Sequence, residues 1–134
     1  MKFRLHKKTK GDIAELAVAA NLLGKGWHIL MPIGENNRYD LVAEKNRKFL
    51  RIQVKYVTPK NGVLDINCRS SNNWSVLHYT PKEIDAIAAY DAHDKSIYFI
   101  PVEKINKSTI KLRTGATKNN QKKYIKYATD YLDL

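Results

Sequence analysis

YDLVAEKNRKFLRIQVKYV, residues 39–57, reads as two short strands joined by a polar turn. In an extended chain successive side chains point to opposite faces, so positions two apart share a face. Arg51, Gln53 and Lys55 therefore project together, and Leu50, Ile52 and Val54 project the other way into a core. An amide and an ammonium side by side on a buried strand need partners, because unpaired polar groups are costly to bury. Asp40, opening the first strand, is placed to give Lys55 one. The hairpin therefore builds a small polar pocket, either an Asp40–Lys55 ion pair with Gln53 as its hydrogen-bonding neighbour or a site that does chemistry.

Upstream, the spacing predicts a helix starting near Thr9, with Thr9 as cap and Asp12 three residues on. Ile13, Leu16, Ala17, Ala20 and Leu23 form its buried stripe, and Gly24 and Gly26 stop it. Glu15 lies at the edge of that stripe. Residues 27–31 read as a short strand ended by Pro32. Downstream, Asn61-Gly62 marks a tight turn, and residues 63–68 alternate as a strand with Leu64, Ile66 and Cys68 on one face. Cys68, in register with that face, reads as a buried hydrophobe. Arg69-Ser70-Ser71-Asn72-Asn73 reads as a polar loop. Thr80-Pro81-Lys82-Glu83 signals a helix start, with Ile84, Ile87 and Ala88 as its apolar face. His93 falls in the turn that follows. Residues 96–102 form an apolar strand suited to the interior of a sheet, residues 111–120 look irregular, and residues 121–132 predict a last helix. The order is that of an α/β fold with a central mixed sheet flanked by helices, in one domain spanning residues 1–134.

At 134 residues, 43% hydrophobic and 28% charged, the chain can bury a substantial core. No apolar run approaches the roughly 20 residues that span a bilayer, and no signal-peptide core follows the basic N-terminus. A single cysteine excludes an internal disulfide framework. No membrane partner and an intracellular, cytoplasmic setting are expected. The net charge is +11 and unevenly placed. Residues 1–10 carry five cations, Lys2, Arg4, Lys7, Lys8 and Lys10, and no acid, while residues 104–127 carry eight and again no acid. Residues 11–103 balance eleven cations with eleven acids, so the excess lies in the two ends. Basic ends on a neutral centre suit a polyanion, since lysine and arginine neutralise phosphates and release their counterions.

Glu15, Asp40, Gln53 and Lys55 are also the parts that metal-assisted phosphodiester hydrolysis needs. A hard divalent cation takes oxygen ligands, polarises phosphate and acidifies water, and a fixed positive charge steadies the charge that develops. Asp40 offers a charged oxygen, Gln53 a neutral one and the Val54 carbonyl a third. Lys55 supplies the cation, and Glu15 reaches in from the helix.

The arrangement resembles the PD-(D/E)XK nuclease superfamily: an acid on a helix, an acid entering a hairpin, then acid-x-Lys on the next strand. RYD at 38–40 stands for the first part of that motif and QVK at 53–55 for the last. Gln53, a weaker ligand for a hard cation than the usual glutamate, departs from the motif and is shared with the intron-encoded homing endonucleases of this fold. The resemblance to that subgroup runs through GDIAELAVAANLLGKGW, RYDLV, IQVKYV, YTPKEIDAIAAY, IYFIPVEKI and KNNQKKYIKYATDY. It implies a restriction-endonuclease-like core, with catalytic roles for Glu15, Asp40, Gln53 and Lys55. It also implies Mg²⁺ or Mn²⁺ held by Asp40, Gln53, the Val54 carbonyl and Glu15. Double-stranded DNA is the implied substrate, cut site-specifically by a homo-oligomer, dimer or tetramer. Lys2, Arg4, Lys7, Lys8, Lys10 and the run from Arg69 to Asn73 are the expected DNA contacts. A Holliday junction resolvase on the same scaffold, or a nucleic-acid-binding module silenced by Gln53, are the alternatives.

Overall fold

The computed structural model describes residues 3–34, 37–71, 76–78, 81–105, 108–115 and 125–134. In chain order these form α1 (Lys7–Gly24), β1 (His28–Leu30), β2 (Leu41–Lys45), β3 (Lys48–Val57) and β4 (Val63–Asn67). Then follow β5 (Arg69–Ser71), β6 (Val76–His78), β7 (Ala86–Asp91), β8 (Ile97–Pro101) and β9 (Thr109–Arg113). Short 3₁₀ turns occupy Val102–Lys104 and Ala128–Tyr131.

The expected hairpin is present. β2 and β3 pair antiparallel with Leu41 opposite Ile52 and Lys45 opposite Lys48. Asn46 and Arg47 turn the chain with φ of 52° and 67°, the left-handed pair that a two-residue hairpin turn requires. A five-stranded mixed sheet, ordered β1-β2-β3-β7-β8, grows around it, with β3 and β7 parallel and the other neighbours antiparallel.

Both faces of this sheet are covered. Ile52, Val54, Ala88 and Phe99 pack against Ala14, Val18 and Leu22 of α1. Val57, Ile87, Ala89 and Ile100 pack on the other face against Leu64, Ile66, Cys68, Ile110 and Leu112 of a separate two-stranded ribbon, β4–β9. Cys68 is a buried hydrophobe, as its register implied.

Several elements differ from expectation. α1 starts two residues earlier than Thr9, with His6 at the cap position and no side chain capping it. Its buried stripe is Ala14, Val18 and Leu22, and Leu16 and Leu23 are exposed. Leucines at the wrong phase drew the stripe around by one position, although the Gly26 stop holds: Gly26 has φ 91°, and Trp27 N–H reaches back to the Leu22 carbonyl.

The helix expected after Pro81 is replaced by β7. All six residues from Ala86 to Asp91 are buried, and a strand covered on both faces reads as a continuous apolar run, which periodicity cannot separate from a buried helix. β8, although buried, is the edge strand of the sheet rather than an interior one. Residues 109–113 are a strand, not an irregular stretch. Of the last expected helix only the Ala128–Tyr131 turn is formed among the described residues.

Candidate active site

The β2–β3 pairing ends at a fork. Asp40 N–H still donates to the Ile52 carbonyl at 2.8 Å, but the N–H of Val54 lies beyond the last residue that β2 pairs with. The Asp40 carboxylate takes the place of a strand there, with Oδ2 accepting from Val54 N–H at 2.7 Å. Amide and carbonyl of one strand residue point to the same edge, so the Val54 carbonyl also faces this opening.

Glu15 arrives from α1 one residue after the buried Ala14, and its carboxyl hydrogen-bonds that of Asp40. Burial raises the Glu15 pKa, and the neighbouring Asp40 raises it further. Burial also raises Asp40, against the lowering effect of the Val54 N–H. The contact between the carboxyls acts in opposite senses on the two, raising Glu15 and lowering Asp40. Two carboxyls pushed together and upward in pKa are groups that a bound cation would relieve.

Gln53 places its amide nitrogen 3.4 Å from the Val54 oxygen. Turning that amide over brings its own oxygen beside the carbonyl. Lys55, two residues on along the same face, is lowered in pKa by burial, and the charge of Asp40 offsets part of that. Its ammonium donates to the Arg69 carbonyl at 3.1 Å. A cleft of about 670 Å³ opens over Glu15, Asp40, Gln53 and Val54, with Lys7 and Lys8 on its rim. A second, of about 260 Å³, reaches Glu15 and Asp40 from the side of Asn37 and Tyr39.

Glu15, Asp40, Gln53 and Val54 line one cleft at the β2–β3 fork, and Lys55 lies near enough for its charge and that of Asp40 to act on each other. Their donors are oxygens: two carboxyls, a backbone carbonyl and an amide, the set a hard cation such as Mg²⁺ or Mn²⁺ takes and a soft one does not. Among the described residues no three His, Cys, Asp or Glu side chains form a metal-holding group. At the fork the donors beyond the two acids are Gln53 and a main-chain oxygen.

The expected nucleic-acid contacts fare unevenly. Lys7, Lys8 and Lys10 belong to the first turn of α1 rather than to a separate arm. Lys8 pairs with Asp12 at 3.0 Å, and Lys10 lies 5.7 Å from the Tyr56 ring centre. Arg4 is exposed ahead of the helix. Residues 69–71 form β5, paired with β6, so part of the expected loop is a strand. Lys2, Asn72 and Asn73 lie outside the described residues, as do the side chains of Ser70 and Ser71.

Arg51 shares the face of Gln53 and Lys55 but is committed elsewhere. Its Nε lies 3.1 Å from Asp85 Oδ2, and its two terminal nitrogens donate to the Lys82 and Pro81 carbonyls at 2.7 and 2.8 Å. Asp85 Oδ2 also accepts from Arg51 N–H at 2.7 Å. Burial pushes the Asp85 pKa up, but these bonds to Arg51 outweigh it and hold the carboxyl below its ordinary value. Asp40 and Asp85 thus do matching work on opposite edges of β3, each just ahead of a strand. Sequence reading missed the second, although an acid preceding an apolar run is a shared signal.

A family model described as PD-(D/E)XK endonuclease matches residues 5–134. The solved structure of a bacterial homing endonuclease, I-Ssp6803I, superposes with a TM-score of 0.75 at 28% identity, covering 95% of this chain and 88% of that one. A Holliday junction resolvase, Hjc of Archaeoglobus fulgidus, superposes with a TM-score of 0.48 at 18% identity, covering 78% and 84%. No curated protein matches the sequence.

Proposed function

Because the chain belongs to the PD-(D/E)XK endonuclease family, we propose that it hydrolyses phosphodiester bonds of double-stranded DNA at particular sites, assisted by Mg²⁺ or Mn²⁺ at the β2–β3 fork. The observation that carries this reading is the convergence of Asp40, the Val54 carbonyl and Gln53 around one opening, with Glu15 against Asp40. Its likeness to a bacterial homing endonuclease supports the site-specific form of the activity.

Asp40, the Val54 carbonyl, Gln53 and Glu15 would hold the ion. A divalent cation there supplies positive charge to the phosphate and makes water a better nucleophile. Lys55 places its ammonium where charge builds during hydrolysis, already oriented by the Arg69 carbonyl. Lys7 and Lys8, on the rim of the cleft, bind flanking phosphates. With no acid in the first turn of α1, these lysines meet the positive end of the helix dipole, an unfavourable placement that a phosphate would compensate. One domain holds one site, so cutting both strands calls for two copies in a symmetric assembly.

Supercoiled plasmid, long natural DNA and a synthetic four-way junction, each with Mg²⁺ or EDTA, test this. Discrete duplex fragments in Mg²⁺ alone are the expected result. Symmetric nicks confined to the junction would instead mean a resolvase, and binding without cleavage a silent module. Lys55→Ala and Asp40→Asn are each expected to lower cutting by about a hundredfold or more, with DNA binding retained. Asparagine keeps an oxygen for the Val54 N–H, so its effect reports on the missing charge. Wild-type cutting by either variant removes the site assignment.

A further inference from the structure

The β4–β9 ribbon buries one face on the sheet and turns the other outward. Leu64, Ile66, Ile110 and Leu112 are buried, while Asp65, Asn67, Thr109 and Lys111 are exposed. Asp65 stands opposite Lys111, Asn67 opposite Thr109, and Val63 opposite Arg113. A groove of about 680 Å³ runs along this face, lined by Lys60, Asp65, Asn67, Arg69, Lys111 and Arg113 among others. Four cations face one acid there, on a fold whose residues 11–103 are electrically balanced.

We infer that this outward ribbon face is a second DNA contact, seated in the major groove beside the cut site. The inference rests on the endonuclease reading and names a surface which that reading does not require. Its dimensions suit the occupant. Two strands about 4.8 Å apart and five residues long form a ribbon roughly 17 Å in length, and the major groove, about 12 Å wide, admits such a ribbon.

Its position ties it to the chemistry. The ribbon's pairing continues through Cys68 N–H, which donates to the Ser108 carbonyl at 2.8 Å. The next residue, Arg69, offers its carbonyl to the Lys55 ammonium. DNA lying along the ribbon therefore passes the catalytic face of β3. Asn67 Oδ1 accepts from Arg69 N–H at 2.9 Å, which turns the amide NH₂ of Asn67 toward acceptors such as guanine N7 and O6 or thymine O4. Lys60, just beyond one end of the ribbon, and Lys111, on its middle rung, supply phosphate contacts, and Asp65 is the one repulsive group.

The test measures binding of a random-sequence duplex in Ca²⁺ without cleavage, across a range of salt. For Lys60→Ala/Lys111→Ala the slope of log affinity against log salt is expected to fall by about 2, one for each phosphate no longer neutralised. Asp65→Asn is expected to tighten binding severalfold, a gain that misfolding cannot produce. Wild-type protein should displace methyl green, which occupies the major groove, and the double variant should do so less well. A wild type that cuts plasmid, with variants matching it in slope, affinity and dye displacement, overturns the ribbon assignment alone. A wild type that binds no duplex overturns the endonuclease reading and the ribbon with it.

Discussion

Asp40 Oδ2 is held by the Val54 N–H, so the carboxylate cannot swing and its other oxygen is aimed before any ligand arrives. The ordering cost of a ligand is thereby met during folding. Electrostatics supplies the opposing strain. Glu15 and Asp40 are both raised in pKa, each first by burial. An acid with a folded pKa above its unfolded value binds its proton more tightly when folded. The stability these two groups contribute in EDTA is therefore greatest below the unfolded values, 4.5 for Glu15 and 3.8 for Asp40, and is lost as pH rises through the raised folded ones. Glu15→Gln should flatten that decline and stabilise the metal-free protein at neutral pH by roughly 0.5–1 kcal/mol, the lower part of the range for relieving a strained site. Urea unfolding in EDTA from about pH 4 to pH 8 checks both, and a variant no more stable than wild type contradicts the strained pair. The shared face of Gln53 and Lys55 was legible because strand alternation alone places the two together. The Arg51–Asp85 clamp was not, since it joins residues 34 apart in sequence.

At the scale of elements, β7 is the instructive case. A cap-like Thr80, Pro81 and Glu83 precede alanines of high helix propensity, yet the segment lies parallel to β3 with Ile52 opposite Ala86 and Val57 opposite Asp91. Burial on two faces outweighs local preference, because each alanine lets an opposing layer approach: α1 over Ala88, the ribbon over Ala89. Local sequence carries the hairpin, whose alternation is its own evidence, but not a strand defined by what covers it. Ile87, fully buried between the five-stranded sheet and the ribbon, follows as a test. Ile87→Ala should cost about 2–5 kcal/mol, read as a fall in the urea midpoint with little change in slope. A cost below about 1 kcal/mol, usual for an exposed position, would contradict the two-sided burial of β7.

Across the whole molecule, charge is segregated from the packed centre. Among the described residues neither core cluster contains a buried cation, and Lys7 and Lys8 of α1 line the cleft while Lys111 and Arg113 of β9 line the ribbon groove. Among those residues, too, no helix is long and apolar enough to cross a membrane. Removing residues 1–5, which takes Lys2 and Arg4 but leaves the His6 cap and α1 in place, should lower the salt slope of duplex binding by about 2 while thermal stability is unchanged. An unaltered slope would place those two cations away from the phosphates.

The tight turn at Asn46 and Arg47 has a practical corollary. Both residues are exposed, and about nine residues of extended chain, roughly 30 Å, separate Asn46 from Lys55. The hairpin tip thus lies at the far end of β3 from the proposed site. A fluorophore attached there, or a second targeting module grafted into the turn, would sit at that reach from the proposed site without intruding on it.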